Sequence, residues 1–116
     1  MEPKELNQLL LSEFPELQEK FEEVTSWQDG IDTGCFITFE DIFMPFLRKN
    51  VEMNNKDMIE RLYSFIEQLC DIDDPYAQNL LYVAILENIG SNNDPNPFEI
   101  YLKPKSLKIY LENYKY

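Results

Sequence analysis

Apolar residues recur along this chain at steps of three and four, a spacing that predicts helices almost throughout. Leu6, Leu9, Leu10 and Leu11 predict a first helix from Pro3 to about Ser12. Pro3 suits a first helical turn, and Glu2 and Glu5 suit the positive helix start. Phe14-Pro15 interrupts, because the residue before a proline avoids helical backbone angles. A second helix is predicted from Pro15 to about Ser26, with Leu17, Phe21 and Val24 on one stripe. Glu16 and Lys20 form an i,i+4 pair of favourable orientation, and Trp27 is expected to anchor the helix end in the core. Gln28 to Gly34 reads as a loop holding two of the three glycines. Asp29-Gly30 also admits a hairpin turn leading into Cys35-Phe36-Ile37.

Thr38 reads as the N-cap of a third helix, with Asp41 completing an approximate capping box. Phe39, Ile42, Phe43, Phe46, Leu47 and Val51 follow at helical spacing, and Pro45 inside the pattern predicts a kink. Asn54 or Asn55 caps the next helix, about Lys56 to Cys70, where Met58, Ile59, Leu62, Phe65, Ile66 and Leu69 make a near-ideal stripe. Asp74 before Pro75 is a strong start signal, a capping carboxylate ahead of a first-turn proline. The helix from Pro75 to Ile89 is apolar on more than one face, which predicts a central, largely buried position, with Gly90 as its C-terminal cap. A polar loop from Ser91 to Pro97, a short helix over 98–102 and a last helix opening at Pro104 complete the pattern. The expected fold is all-α, a single domain over 1–116. Five to seven antiparallel helices form a compact array, either HEAT-like hairpins or an irregular bundle.

Composition narrows the function more by exclusion than by identification. The 116 residues include 44% hydrophobic and 14% aromatic residues, enough for a core without staples. There is no His, which removes His-based triads, imidazole bases and zinc-finger spacings together. Cys35 and Cys70 are too few for a disulfide scaffold, and two reduced thiols suit the cytoplasm. No positive region followed by a long apolar stretch opens the chain, and the run Leu80 to Leu86 is far shorter than the roughly 20 residues of a spanning helix, so neither a secretory signal nor a membrane partner is expected.

The formal charge is −12, and it is unevenly spread. Residues 102–116 carry four Lys against Glu112, a short basic tail on an acidic body. Such a balance disfavours nucleic acid and anionic membranes and favours a basic partner. The tail is expected to pack back onto the body. The tyrosines Tyr101, Tyr110, Tyr114 and Tyr116 suit either that docking or an interface.

The chain offers few groups for chemistry. Asp71-x-Asp73 opens like a calcium loop, but Tyr76 and Tyr82 stand where that loop needs Gly and Glu. No metal and no cofactor are expected. Glu67 and Glu87 each lie within an apolar stretch, so they are the candidate buried carboxylates; the plainer reading is a stripe-edge position or a hydrogen bond to a neighbouring helix. Cys70 lies among Asp71, Asp73 and Asp74, which raises rather than lowers its pKa. Catalysis is therefore not expected.

Glu13-Phe14-Pro15-Glu16-Leu17, the segment Phe39 to Leu47, Phe65-Ile66-Glu67-Gln68-Leu69 and the run Gln78 to Glu87 form a distinctive set. Over about residues 9–90 the chain resembles a family of small, acidic, all-helical bacterial proteins of uncharacterised function, some of them regarded as immunity-type proteins of toxin systems. The resemblance implies a helical fold and a protein-binding role, and it brings no catalytic residues. With the charge, it points to an acidic module that covers a basic protein partner through Asp29, Asp32, Glu40, Asp41, Asp71, Asp73 and Asp74. The same acids also read as helix caps and solvated loop groups. Two other readings stay open: a structural or regulatory helical protein without a toxin partner, and a small-ligand site near Glu67 and Glu87.

Overall fold

The computed structural model describes residues 1–93 and 95–114. Asp94 of the polar loop, and Lys115 and Tyr116 of the basic tail, lie outside the described residues. Six helices make up the fold, and no strand occurs among the described residues. Helix α1 is Pro3–Glu13, and α2 is Gln18–Thr25, entered through a 3-10 turn at Pro15–Leu17. Helix α3 covers 35–52, α4 is Lys56–Cys70, α5 covers 75–90 and α6 is Pro104–Asn113. The possible ribbon at Asp29-Gly30 is instead a 3-10 turn, Gly30–Asp32, and the short helix after Phe98 is another, Glu99–Tyr101.

Phenylalanine rings hold the helices together. Phe14, at the α1–α2 corner, meets Phe43 of α3 and Phe65 of α4 at centroid distances of 6.1 and 5.4 Å. Phe39 and Phe43 both lie against Phe65, at 6.3 and 5.5 Å. Edge, tilted and stacked contacts of this kind add about 0.5–1.5 kcal/mol each beyond the area they bury. Pro15 creates the corner that turns Phe14 inward. Arg61 of α4 clamps the same corner from outside: its guanidinium lies 5.3 Å from the Phe14 ring centroid and donates to both Glu16 carboxylate oxygens and to the Glu13 carbonyl. Glu16 therefore does not pair with Lys20 as its spacing predicts, and Lys20 turns to Glu23. A planar fork gripping two carboxylate oxygens wins over a flexible ammonium.

Two helices contain widened π turns, Phe39–Phe43 in α3 and Leu81–Leu86 in α5, and these segments pack against each other. The first immediately precedes Met44-Pro45. A proline ring would collide with the carbonyl four residues back, and widening the turn relieves that contact without breaking the helix. The kink expected at Pro45 is thus a bulge just ahead of it. In α5 the wider turn swings Leu86 toward the face of Leu81 and Ile85, so all three are buried. That accounts for the apolar breadth of the sequence here. The central position is shared with α4, which packs on α3, α5 and α6.

Several local expectations give way to tertiary contacts. Thr38 is not an N-cap: α3 already begins at Cys35, and the buried Thr38 hydroxyl donates to Asn7 Oδ1 at 2.7 Å. Asn55 stands at the α4 N-cap, but its side chain donates to Asn50 Oδ1 rather than capping the helix. Gly90 remains helical. A Cβ there would lie 3.3 Å from Tyr110 Cε1, so its small size lets α6 approach α5. Trp27 is 90% exposed instead of buried. Leu17 of the entry turn and Phe21 and Thr25 of α2 point inward, and Trp27 follows Thr25 by two residues, about 200° further round a helix.

The α5 core is the most direct test of this packing. Leu81 and Ile85 are each at most 1% exposed. Either one changed to Ala should lower unfolding free energy by about 2–5 kcal/mol, measured by urea denaturation with helical circular dichroism as the signal.

Candidate functional site

The loop from Gln28 to Gly34 is fastened to α1 by one buried side chain. Asn7 Nδ2 donates to the carbonyls of Ile31 and Thr33 at 2.9 and 2.8 Å, while Asn7 Oδ1 accepts from Thr38. All the hydrogen-bonding capacity of the amide is thus turned inward on the loop and α3. A second tie joins the start of α3 to the start of α5: the Cys35 backbone N–H donates to the Tyr76 hydroxyl at 2.9 Å, and Phe36 meets Tyr76 edge to face. The turn with Asp29 and Asp32 leads into Cys35 and the turn with Asp73 and Asp74 leads into Tyr76, so this contact brings the two acidic turns toward one end of the molecule.

Within that end the acids differ in what they already do. Asp74 caps α5, accepting from the Ala77 N–H at 2.9 Å, and it also binds the Met1 ammonium at 2.7 Å. The ammonium and then the Ala77 N–H hold its carboxyl below the usual carboxylate range. Asp29, Asp32 and Asp73 are exposed, and their carboxylates carry no salt bridge among the described residues.

Of the other three predicted contact acids, Asp71 belongs to the same turn as Asp73, and Glu40 and Asp41 lie on α3. Asp71 is bound by Lys105 of α6 at 2.6 Å, so the basic tail occupies it. Glu40 lines an open groove of about 240 Å³ with Val83, Glu87, Asn88 and Ser91. Asp41, the next residue, lines a different groove of about 300 Å³ with Leu17, Ile42, Pro45 and Phe46, rimmed by Lys20 and Lys49. Adjacent helical residues point about 100° apart, so Glu40 and Asp41 serve separate surfaces. The seven acids do not form one patch.

Glu67 and Glu87 do not form a buried pair. Glu87 is exposed in the groove beside Glu40, and Glu67 is half-buried under the start of α6. Each Glu67 oxygen accepts one backbone N–H, from Lys105 at 2.7 Å and from Ser106 at 3.0 Å. Burial opposes its ionisation, but the N–H groups of Ser106 and Lys105 outweigh it and hold the carboxyl below the usual range. This carboxylate caps a helix on another segment, using the positive helix start. Lys103 adds an ion pair to Glu60 at 2.8 Å, Tyr110 donates to Glu99, and Tyr114 donates to the Tyr82 carbonyl at 2.9 Å. The described part of the basic, Tyr-rich tail thus packs on its own body.

The thiols are not activated. Burial pushes the Cys70 thiol up to about 11, with Glu67 and Asp71 adding to the effect. Burial also raises Cys35, which is in contact with the Pro3 carbonyl and Asn7. Among the described residues no group of three His, Cys, Asp or Glu side chains is arranged to hold a metal ion, and no helix is long and apolar enough to cross a membrane.

Sequence reasoning missed Asn7, Arg61 and the exposure of Trp27. An Asn among leucines on the first helical stripe was the available signal for Asn7. Nothing local marks Arg61, whose partners lie 45 and 48 residues away.

The Glu67 cap has a pH signature. Its folded-state pKa lies below the unfolded value of about 4.3, so its contribution is fully present above that value. It is lost as pH falls through the lower folded-state pKa. Glu67→Ala should cost about 1 kcal/mol, the usual loss when a helix cap is removed and water can reach the freed N–H groups. Glu67→Gln should cost less and flatten the fall in stability below about pH 4, measured by urea melts across pH 2–6.

No curated protein and no solved structure matches this chain. A family model described as a domain of unknown function, DUF7674, matches residues 7–116, nearly the whole chain, and the protein therefore belongs to the DUF7674 family.

Proposed function

We propose that this protein is a non-catalytic, acidic binding module of the cytoplasm that engages a basic protein, in the manner of an immunity protein covering a toxin. The observation that carries this reading is the end of the molecule where Asn7 fastens one acidic turn to α1 and α3, and Tyr76 links the start of α3 to the start of α5 beside the other. There Asp29, Asp32 and Asp73 stand exposed and free of salt bridges in a chain of net charge −12. Fixed carboxylates on a rigid frame raise the rate at which a cationic partner arrives, and their mutual repulsion is relieved when it binds. The remaining chemistry supports a binding role: Cys70 is held protonated by burial, and Glu67 is committed to capping α6. The same charge repels nucleic acid and anionic lipid.

Two unit charges about 4 Å apart near the surface attract by roughly 4 kcal/mol at an effective dielectric of 20, before desolvation and ordering. An exposed pair then nets about 0–1 kcal/mol, so the acids should act on association rate more than on residence time. Affinity capture from the native host, followed by kinetics with the purified captured protein, tests this. The captured protein should be basic. Asp29, Asp32 and Asp73 changed together to Asn should slow association about tenfold at low salt, with less effect at high salt and little change in dissociation. A neutral or acidic captured protein, or an unchanged association rate on the folded variant at low salt, would remove the proposal.

A further inference from the structure

Trp27 is the one tryptophan in the chain, and at 90% exposure it is the most exposed of the large apolar side chains. Single apolar residues on a surface need no explanation in general. This one differs in three respects: size, mounting and surroundings. A fully hydrated indole forgoes one of the largest burial gains any side chain offers. The core closes without it, with Leu17 of the entry turn and Phe21 and Thr25 of α2 pointing inward.

The mounting is rigid. The Gln28 N–H donates to the Thr25 carbonyl at 2.9 Å, and the Ser26 hydroxyl donates to the Glu23 carbonyl at 2.9 Å. The buried Thr25 hydroxyl donates to the Phe21 carbonyl at 2.7 Å. The Asp29 N–H donates to the hydroxyl of Thr33, another buried residue, at 3.2 Å. Beyond Thr33 the loop is held by Asn7. The backbone that carries Trp27 is therefore ordered before any partner arrives, so little entropy remains to be lost on binding.

The surroundings are acidic. Glu22 and Glu23 precede Trp27 in α2, and Asp29 and Asp32 follow it. Lys20, the cation of α2, is already held by Glu23 at 3.4 Å. An exposed indole flanked within five residues on either side by exposed carboxylates matches one chemistry: a cation that is attracted to the ring and ion-pairs with its acidic neighbours.

From this we propose that Trp27 is the anchor of the docking surface, stacking an arginine side chain from a cationic segment of a partner protein while Asp29 and Asp32 pair with that segment's charges. This rests on the acidic-module reading above and adds the residue at its centre. Tryptophan and arginine are the residues that most often dominate interface energies, and an anchor of this type sets dissociation, whereas the acids set approach.

Trp27 reports on its own environment, so intrinsic fluorescence is a direct readout. An oligoarginine peptide serves as the probe, with an oligoglutamate peptide of equal length as control. Oligoarginine at low salt should shift Trp27 emission to shorter wavelength and change its intensity, and oligoglutamate should do neither. With a labelled peptide and anisotropy as the readout, Trp27→Ala should weaken oligoarginine binding about tenfold, and Trp27→Phe should weaken it less, since a smaller ring retains part of the attraction. Trp27→Ala should melt within about 3 °C of the parent, because the side chain contributes nothing to the core. Oligoarginine binding that is equally tight to Trp27→Ala, or that leaves the indole emission unchanged, would overturn the anchor while leaving the acidic module standing. A concentration-dependent emission shift without peptide would assign Trp27 to self-association and overturn it too. No oligoarginine binding by the parent protein at low salt would overturn both.

Discussion

Four phenylalanine rings from three separate segments meet at the centre of this protein, and the placement of every other element follows from that meeting. Phe65 of α4 receives Phe14 from the α1–α2 corner and both Phe39 and Phe43 from α3. For Phe14 to arrive, the chain must break at Pro15. For Phe39 and Phe43 to reach the same ring from one helix that also carries Pro45, that helix must widen. The π turn at Phe39–Phe43 is therefore a consequence of fitting aromatic packing and a proline into a single helix. Its partner turn in α5 extends the same contact surface to Leu81, Ile85 and Leu86.

Polar groups complete what the rings begin, and each does so at a distance in sequence. Asn7 holds a loop more than twenty residues on, Arg61 closes the corner around Phe14, and Glu67 caps α6 from α4. These are charge-assisted or buried hydrogen bonds, the kind that cost most when one partner is removed. They explain how a chain with so much negative charge stays compact. Acids that face backbone N–H groups or an arginine fork stabilise the fold, and the repulsive remainder is left at the surface.

That remainder shapes the functional reading. Asp74 is used by the fold, but Asp29, Asp32 and Asp73 carry no salt bridge among the described residues, and the indole of Trp27 is left exposed. A surface assembled from groups that the core and caps have no need of suits recognition of an external cation better than stability.

The hydrophobic period alone determined that this chain is helical, and it placed α4, α5 and α6 closely, because those segments combine a clean stripe with start signals at Asn54-Asn55, Asp74-Pro75 and Pro104. The cap at Asp74 and the return of the basic tail were legible for the same reason: both depend on residue type and short-range charge. Only the tertiary structure decided the rest. Whether Thr38 caps a helix or binds Asn7, whether Glu16 takes Lys20 or Arg61, and whether Glu67 is buried, exposed or capping were settled by groups 31 to 45 residues away. Trp27 shows the limit most plainly. Its composition says core, but two residues past the last inward position of α2 the helix has already turned it toward water. A one-dimensional pattern cannot distinguish a buried anchor from an exposed one when the helix end falls between them.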